Sequence, residues 1–340
     1  MKQYILLLSL LLSSILFSQS YFNWDGQERE YFLYVPESIQ VNAPLVFILH
    51  GYYDSGGDAW ISKFQSFADE YGFAVCSPSG LLDNNGNTHW NANFSSSIST
   101  VDDVGFLSNL ALYLQDMYSL DPNKTFSCGF SNGGFMSWSL ACNAPDVFKA
   151  VASVAGSMSV NDWEQCNPSS VIPVMQISGL DDDIIPIDGT TGGWYLGGGT
   201  PDIFSIMDFW SNLYGCVNNE TINWQFDNYY DFDLTSYFGC SSNNTSELRL
   251  YIFDAMGHVW PGEVFNNEDI DSEGIPDLVV EKIWDFFMQI AAQPININDN
   301  NILQKVILQK NDILGRTISC PGFQFEIYDD GSVEKKYILK

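Results

Sequence analysis

Hydrophobic positions in this chain gather into short apolar runs separated by amphipathic stretches. Leu45–Leu49 is continuously apolar, the mark of a strand buried on both faces, and Phe73–Cys76 is a second such run. Thr125–Cys128, Val151–Val154, Val174–Ser178 and Leu248–Phe253 read as further strands, and Glu30–Val35 has strand composition up to Pro36. Between them, helical spacing covers Asp58–Tyr71, Val104–Tyr118, Gly133–Asn143 and Val279–Ile290, with Asp102 or Asp103 placed to cap the second. Buried strands alternating with helices predict an α/β architecture, a mostly parallel sheet with helices on both faces. From Ala291 to Asn301 the pattern turns polar, with Pro294 and repeated Asn, and reads as a linker. A small β-rich C-terminal tail follows, with turn signals at Gly315, Gly322 and Asp330–Gly331.

The other end carries a different signal. Lys2 precedes an apolar stretch from Ile5 to Phe17, too short to span a bilayer, with small residues at Ser18 and Ser20 for cleavage. The expected organisation is an export signal at 1–18 (cleavage after 18 or 20), a catalytic domain at 19–292, a linker at 293–302 and a separate tail at 303–340.

Charge and cysteine content narrow the possibilities. The 340 residues hold 13 Lys+Arg and 42 Asp+Glu, a formal net charge of −29, with 46% hydrophobic and 15% aromatic residues. Tyr21–Ala292 holds 6 basic and 36 acidic residues, a balance of −30, whereas Leu303–Lys340 holds 6 and 5, a balance of +1. A body this acidic repels phosphate backbones and anionic membrane surfaces, which argues against nucleic-acid partners and stable membrane insertion. Seven cysteines suit an oxidising compartment. Cys142 with Cys166, and Cys216 with Cys240, flank stretches that could each be closed into a ring of about 25 residues, worth roughly 3 kcal/mol apiece. Cys76 and Cys128 lie in apolar runs and read as buried thiols, and Cys320 is left over in the tail.

One constellation carries chemistry. Gly129-Phe130-Ser131-Asn132-Gly133 is a Gly-x-Ser-x-Gly turn directly after a strand and before a helix. Ser131 then projects above the sheet edge as a nucleophile, and the amide of Asn132, at a helix N-terminus, can donate to an oxyanion. Of three histidines, His50 ends the first buried strand, where the loop supplying a second oxyanion donor, the Tyr52 amide, belongs. His89 precedes the nucleophile in a polar loop, which leaves His258, after the last strand, as general base. The third member is expected in Asp181-Asp182-Asp183, after the strand ending at Ser178, and spacing does not choose among them. The order Ser…Asp…His is that of the α/β-hydrolases.

At these residues the chain resembles the secreted polyhydroxybutyrate depolymerase and feruloyl esterase family of α/β-hydrolases, from about Arg29 to Phe287. The resemblance rests on Leu49-His50-Gly51, Trp90-Asn91, Val101-Asp102-Asp103-Val104-Gly105-Phe106, the Gly-Phe-Ser-Asn-Gly-Gly turn, Leu140-Ala141-Cys142 and the Gly-His-x-Trp-Pro-Gly motif ending at Gly262. It implies Asp182 as the acid, through a Gly-x-x-Asp-x-x-x-Pro pattern on Gly179, Asp182 and Pro186, and it favours the disulfides Cys142–Cys166 and Cys216–Cys240. It also points to Trp260, Trp90 and His50 as residues of the substrate pocket, with core packing as the alternative for the tryptophans. The tail, through Asp312-Ile-Leu-Gly-Arg316 and Tyr328-Asp-Asp-Gly-Ser-Val-Glu-Lys-Lys336, resembles a C-terminal sorting domain of the type IX secretion system.

The expected function is a secreted serine esterase acting on feruloyl or acetyl esters of plant or algal polysaccharide, without metal or organic cofactor. A hydroxyalkanoate polyester or its oligomers is the alternative substrate, and a catalytically inactive surface binding protein is the alternative from another class. The type IX secretion machinery is the expected protein partner, with delivery beyond the outer membrane or to the cell surface. Asp269-Ile-Asp271-Ser-Glu273-Gly274 has the opening of a calcium loop without its later ligands, and reads as an acidic surface loop. Asn218–Asn244, polar and aromatic, is either a rim over the site or an ordinary surface insertion.

Overall fold

The computed structural model of the chain describes residues 18–95, 97–191, 198–224, 231–240, 248–261, 278–291, 307–311, 322–328 and 333–338. The apolar stretch read as an export signal, the Asp269–Gly274 segment, the stretch read as a linker and Cys320 lie outside the described residues. Two compact units divide the chain, Met1–Gln293 and Pro294–Lys340.

The first unit opens with a hairpin of β1 (Ser18–Trp24) and β2 (Gln27–Tyr34), joined by Asp25 and Gly26, both at positive φ as a two-residue hairpin turn requires. Then come β3 (Leu45–Leu49), α1 (Asp58–Tyr71), β4 (Ala74–Pro78), the short pair β5 (Leu81–Leu82) and β6 (Thr88–His89), and α2 (Asp103–Tyr118). The Asp102 carboxylate caps α2 by accepting from the Gly105 amide at 2.8 Å. The chain continues through β7 (Thr125–Phe130), α3 (Asn132–Asn143), β8 (Ala150–Val154), α4 (Val160–Gln165), β9 (Val174–Gly179) and α5 (Ile203–Tyr214). The edge strands β10 (Asn218–Trp224) and β11 (Phe232–Phe238), then β12 (Leu248–Phe253) and α6 (Leu278–Ala291), complete the unit.

The main sheet has ten strands in the order β1-β2-β4-β3-β7-β8-β9-β12-β11-β10. The six from β4 to β12 run parallel, and an antiparallel pair closes each edge. Alternation along the strands sorts the core into two sides. Val46, Ile48, Phe126, Cys128, Tyr251 and Phe253 pack under α1 and α6. On the opposite side, Leu45, Phe47 and Leu49 pack under α2 and α3, and Val151, Leu248 and Leu250 pack under α3 and α5. Most of Asn218–Asn244 is therefore edge sheet, its outermost strand exposed along Asn218–Asn223, while residues 225–230 and 241–247 lie outside the described residues. The second unit contains one antiparallel sheet of β13 (Ile307–Asn311), β14 (Gly322–Tyr328) and β15 (Val333–Ile338), in that order.

Disulfides join Cys142 to Cys166 and Cys216 to Cys240, and Cys76 and Cys128 are buried free thiols. Burial pushes both of those thiols up from their ordinary range, which makes them poor nucleophiles.

Candidate active site

The site lies at the carboxyl ends of the central parallel strands. Ser131 joins β7 to α3 with φ 53° and ψ −116°, a backbone conformation few side-chain-bearing residues adopt. Crowding of backbone on backbone explains the flanking glycines. A Cβ on Gly133 would lie 2.1 Å from the Leu49 carbonyl oxygen, and one on Gly129 would lie 2.3 Å from the Gly133 carbonyl carbon. The Ser131 amide donates to the Val154 carbonyl at 2.8 Å, tying the turn to the neighbouring strand.

His258 comes from the loop after β12. Its Nε2 is 2.8 Å from Ser131 Oγ, and its Nδ1 is 2.9 and 3.1 Å from the two carboxylate oxygens of Asp182. A carboxylate only accepts, so Nδ1 carries the proton and Nε2 offers its lone pair to the Ser131 hydroxyl. Asp182 is 3% exposed, and its Oδ1 also accepts the amides of Ile184 (3.0 Å) and Ile185 (2.7 Å). Asp181 and Asp183 are exposed, and among the three aspartates the contact with His258 belongs to Asp182. The acid and histidine loops are tied directly, since the Asp181 amide donates to the Met256 carbonyl at 3.1 Å.

The loop after β3 packs against the serine turn: a Cβ on Gly51 would meet the Phe130 ring at 3.2 Å and Ser131 Cβ at 3.7 Å. Tyr52 follows at once, and Asn132 is the first residue of α3. The Asn132 side chain is clamped on both sides by Trp90, whose amide donates to Oδ1 at 2.6 Å while Nδ2 donates to its carbonyl at 2.9 Å.

Three residues expected in the substrate pocket sit elsewhere. Trp90 is fully buried, its indole donating to the His50 carbonyl at 3.1 Å, and it acts as a strut between the two loops. His50 is also fully buried. It donates from Nδ1 to the Gly51 carbonyl at 2.7 Å and accepts the Gly80 amide at Nε2 at 2.9 Å, and burial lowers its pKa, so it is a neutral structural histidine. Trp260 packs edge-on against Trp60 and Phe64 in the core beneath α1. Core packing places Trp260, and buried hydrogen bonds place His50 and Trp90, away from the slot beside Ser131.

A narrow slot beside Ser131 is lined by Tyr52, His89, Phe94, Ile98, Asn132, Phe135 and Ile185, with a free volume of about 10 Å³, room for roughly one water. Tyr52 forms a wall of it with its ring. Its hydroxyl donates to Asp83 Oδ2 at 2.5 Å and accepts from Asn87 Nδ2 at 3.0 Å, and burial together with the Asp83 carboxylate pushes its pKa up to about 12. Sequence reasoning missed the apolar lining. Phe135 and Ile185 carry a positional signal, one helical turn after Ser131 and three residues after Asp182. Phe94 and Ile98 sit in a Ser- and Asn-rich loop that shows no pattern.

Known proteins resemble the chain around this site. Residues 62–173 match the prolyl oligopeptidase family, a span that contains Ser131 and stops before Asp182 and His258. Feruloyl esterase B of Thermothelomyces thermophilus is 34% identical over 129 residues, 37% of this chain and 43% of that protein. Poly(3-hydroxyalkanoate) depolymerase C of Paucimonas lemoignei is 26% identical over 258 residues, 71% of this chain and 61% of that protein. The chain spans about half the length of the curated relatives it matches. The solved acetyl xylan esterase from Aspergillus awamori superposes with a TM-score of 0.52 at 15% identity, covering 77% of this chain and 94% of that one. The fold is that of the α/β-hydrolases.

Proposed function

We propose that the chain is a secreted serine esterase that hydrolyses carboxylic esters through Ser131, His258 and Asp182. The observation that carries this reading is the continuous hydrogen-bonded line from the buried Asp182 carboxylate, through both nitrogens of His258, to Ser131 Oγ on its strained turn. Ser131 Oγ attacks the ester carbonyl carbon while its proton passes to His258 Nε2. The amides of Asn132 and Tyr52 stabilise the oxyanion, a contribution worth about 10²–10³ in rate per donor. The alcohol leaves with the proton from His258. Water then attacks the acyl-enzyme, giving its proton to the same nitrogen, which returns it to Ser131. Asp182 keeps the imidazole in the required tautomer and offsets its transient positive charge.

The tightness of the slot supports a short acyl group over a feruloyl one, because a feruloyl ring requires the lining side chains to move apart. Acetyl esters of polysaccharide are the leading substrates on this reading, and short hydroxyalkanoyl esters the second, supported by the likeness to the poly(3-hydroxyalkanoate) depolymerase. Export through the N-terminal segment, and sorting by the tail through a type IX system, complete the proposal. The two disulfides support an oxidising compartment.

The test is release of acetate from acetylated xylan and of ferulate from methyl ferulate by the full chain and its Ser131→Ala variant. Acetate release that vanishes in the variant, with slower ferulate release, is expected. Equal release by the variant overturns the mechanism, and preferred ferulate release overturns the short-acyl reading.

A further inference from the structure

Trp260, expected beside the substrate, instead anchors the loop that carries His258. Its ring, two residues past the histidine, lies 5.7 Å from that of Trp60 and 6.4 Å from that of Phe64, centroid to centroid. Trp60 in turn lies 6.1 Å from Phe130, and Phe130 lies 5.2 Å from the imidazole of His258, with the two planes tilted by 42°. Ring contacts and a short step of main chain therefore close a circuit through His258, Phe130, Trp60 and Trp260. Its members are also fixed from outside. The Trp60 indole donates to Asp54 Oδ2 at 2.8 Å, Trp260 is buried in the core, and Phe130 ends β7 directly before Ser131. A Cβ on Gly51 would lie 3.2 Å from the Phe130 ring, so the loop after β3 closes another side of it.

Hydrogen bonds to Asp182 and Ser131 occupy both nitrogens of His258. The rest of the imidazole is carbon, and Phe130 packs against it. When Ser131 gives up its proton, His258 becomes a cation. The electron-rich face of an aromatic ring attracts such a charge within about 6 Å of its centroid, most strongly where water is excluded. The Phe130 ring lies inside that range. We propose that Phe130 is a positioning residue, whose ring holds the imidazole in line with Ser131 and favours the positive charge that His258 gains as it takes the serine proton. The inference rests on the serine-esterase reading, since His258 gains that charge only as the base. Phe130 does not line the slot, so its influence falls on the chemical step and not on substrate binding.

The test varies residue 130 in the full chain and follows both p-nitrophenyl acetate hydrolysis and fluorophosphonate labelling of Ser131. Phe130→Leu, which removes the ring, should lower kcat by about two- to thirtyfold with KM near parental, and Phe130→Tyr, which keeps the ring, should retain most of the rate. Leucine can also disturb packing, so a second series keeps the shape, with phenylalanines bearing one, two or three fluorine atoms inserted by stop-codon suppression. Fluorine withdraws electrons from the ring face. Turnover should fall stepwise with each atom, while KM and the melting temperature stay near parental. A flat or rising series, or a loss carried by KM, overturns the inference, and hydrolysis that still depends on Ser131 leaves the esterase reading standing. Where the parent labels but does not turn over this ester, the same stepwise fall is expected in the labelling rate, and a flat series there also overturns the inference. A parent chain that neither hydrolyses the ester nor labels at Ser131 defeats the esterase reading, and the inference with it.

Discussion

The two sides of the site are held by different means. On the serine side the constraint is steric: strand ends, the turn and the first residues of α3 approach so closely that a single Cβ at Gly133 would overlap the Leu49 carbonyl. On the acid side the constraint is a set of hydrogen bonds. Asp182 reaches into the protein from a loop whose neighbours Asp181 and Asp183 face solvent, and two amides and an imidazole hold its carboxylate. The packed side dictates residue identity along the chain, whereas the hydrogen-bonded side dictates only which carboxylate points inward.

The sharpest break in this comparison comes from the reacting groups. Ser131→Ala and His258→Ala should each lower kcat by ~10⁴-fold or more with little change in KM, measured on p-nitrophenyl acetate. On the hydrogen-bonded side, Asp182→Asn should cost about 10³–10⁴-fold, while Asp181→Asn and Asp183→Asn stay within about twofold of the parent. A large loss in either neighbour would mean that the loop, and not one carboxylate, performs the role. On the packed side, Gly133→Ala should fail through the fold: thermal denaturation should show a loss of more than about 3 kcal/mol, together with inactivity. A stable but inactive Gly133→Ala protein would contradict the steric account.

Much of this contrast was legible in the sequence. Where burial on both faces demands apolar runs, the pattern located β3, β12 and α1 residue for residue, and the Gly-x-Ser-x-Gly turn stood out because its glycines are required by contact. β10 escaped notice because an exposed edge strand needs no apolar residues, and Asn218–Asn223 offers almost none. β2 overlaps the strand read at Glu30–Val35, whereas β1, where adjacent Tyr21 and Phe22 break any alternation, is signalled only by the turn pair Asp25–Gly26. α5 carries clear sequence signals: Asp202 caps it, Gly215 ends it, and Ile203, Ile206, Met207 and Trp210 form its buried stripe. The exposed or packed fate of Trp90, Trp260 and His50 was not legible, because a pocket wall and a core residue have the same composition.

Two smaller predictions concern stability around the site. Removing the Cys142–Cys166 bridge, which ties α3 to the end of α4 across a separation of 24 residues, should cost about 3 kcal/mol in chemical denaturation and leave kcat of the folded protein near parental. Asp162 on α4 is buried, and burial pushes its carboxyl up to about 6, against hydrogen bonds from Ser139, Asn93 and Asn143 that lower it. The folded state therefore holds this proton to higher pH than the unfolded chain does. Its stabilisation is present at low pH and is lost as pH rises through about 6, by about 3 kcal/mol at most. Asp162→Asn should flatten that fall, melting above the parent at pH 8 and level with it near pH 4. A parallel pH profile for the two proteins would remove Asp162 from the account.

The central claim is that Ser131 is a nucleophile activated by His258. It is tested most directly by exposing the full chain to a fluorophosphonate and mapping the adduct by peptide mass spectrometry, beside His258→Ala. The account predicts one phosphonylated residue, Ser131, with labelling slowed by orders of magnitude in the variant. Labelling at another serine, or equal labelling rates in the two proteins, would contradict it.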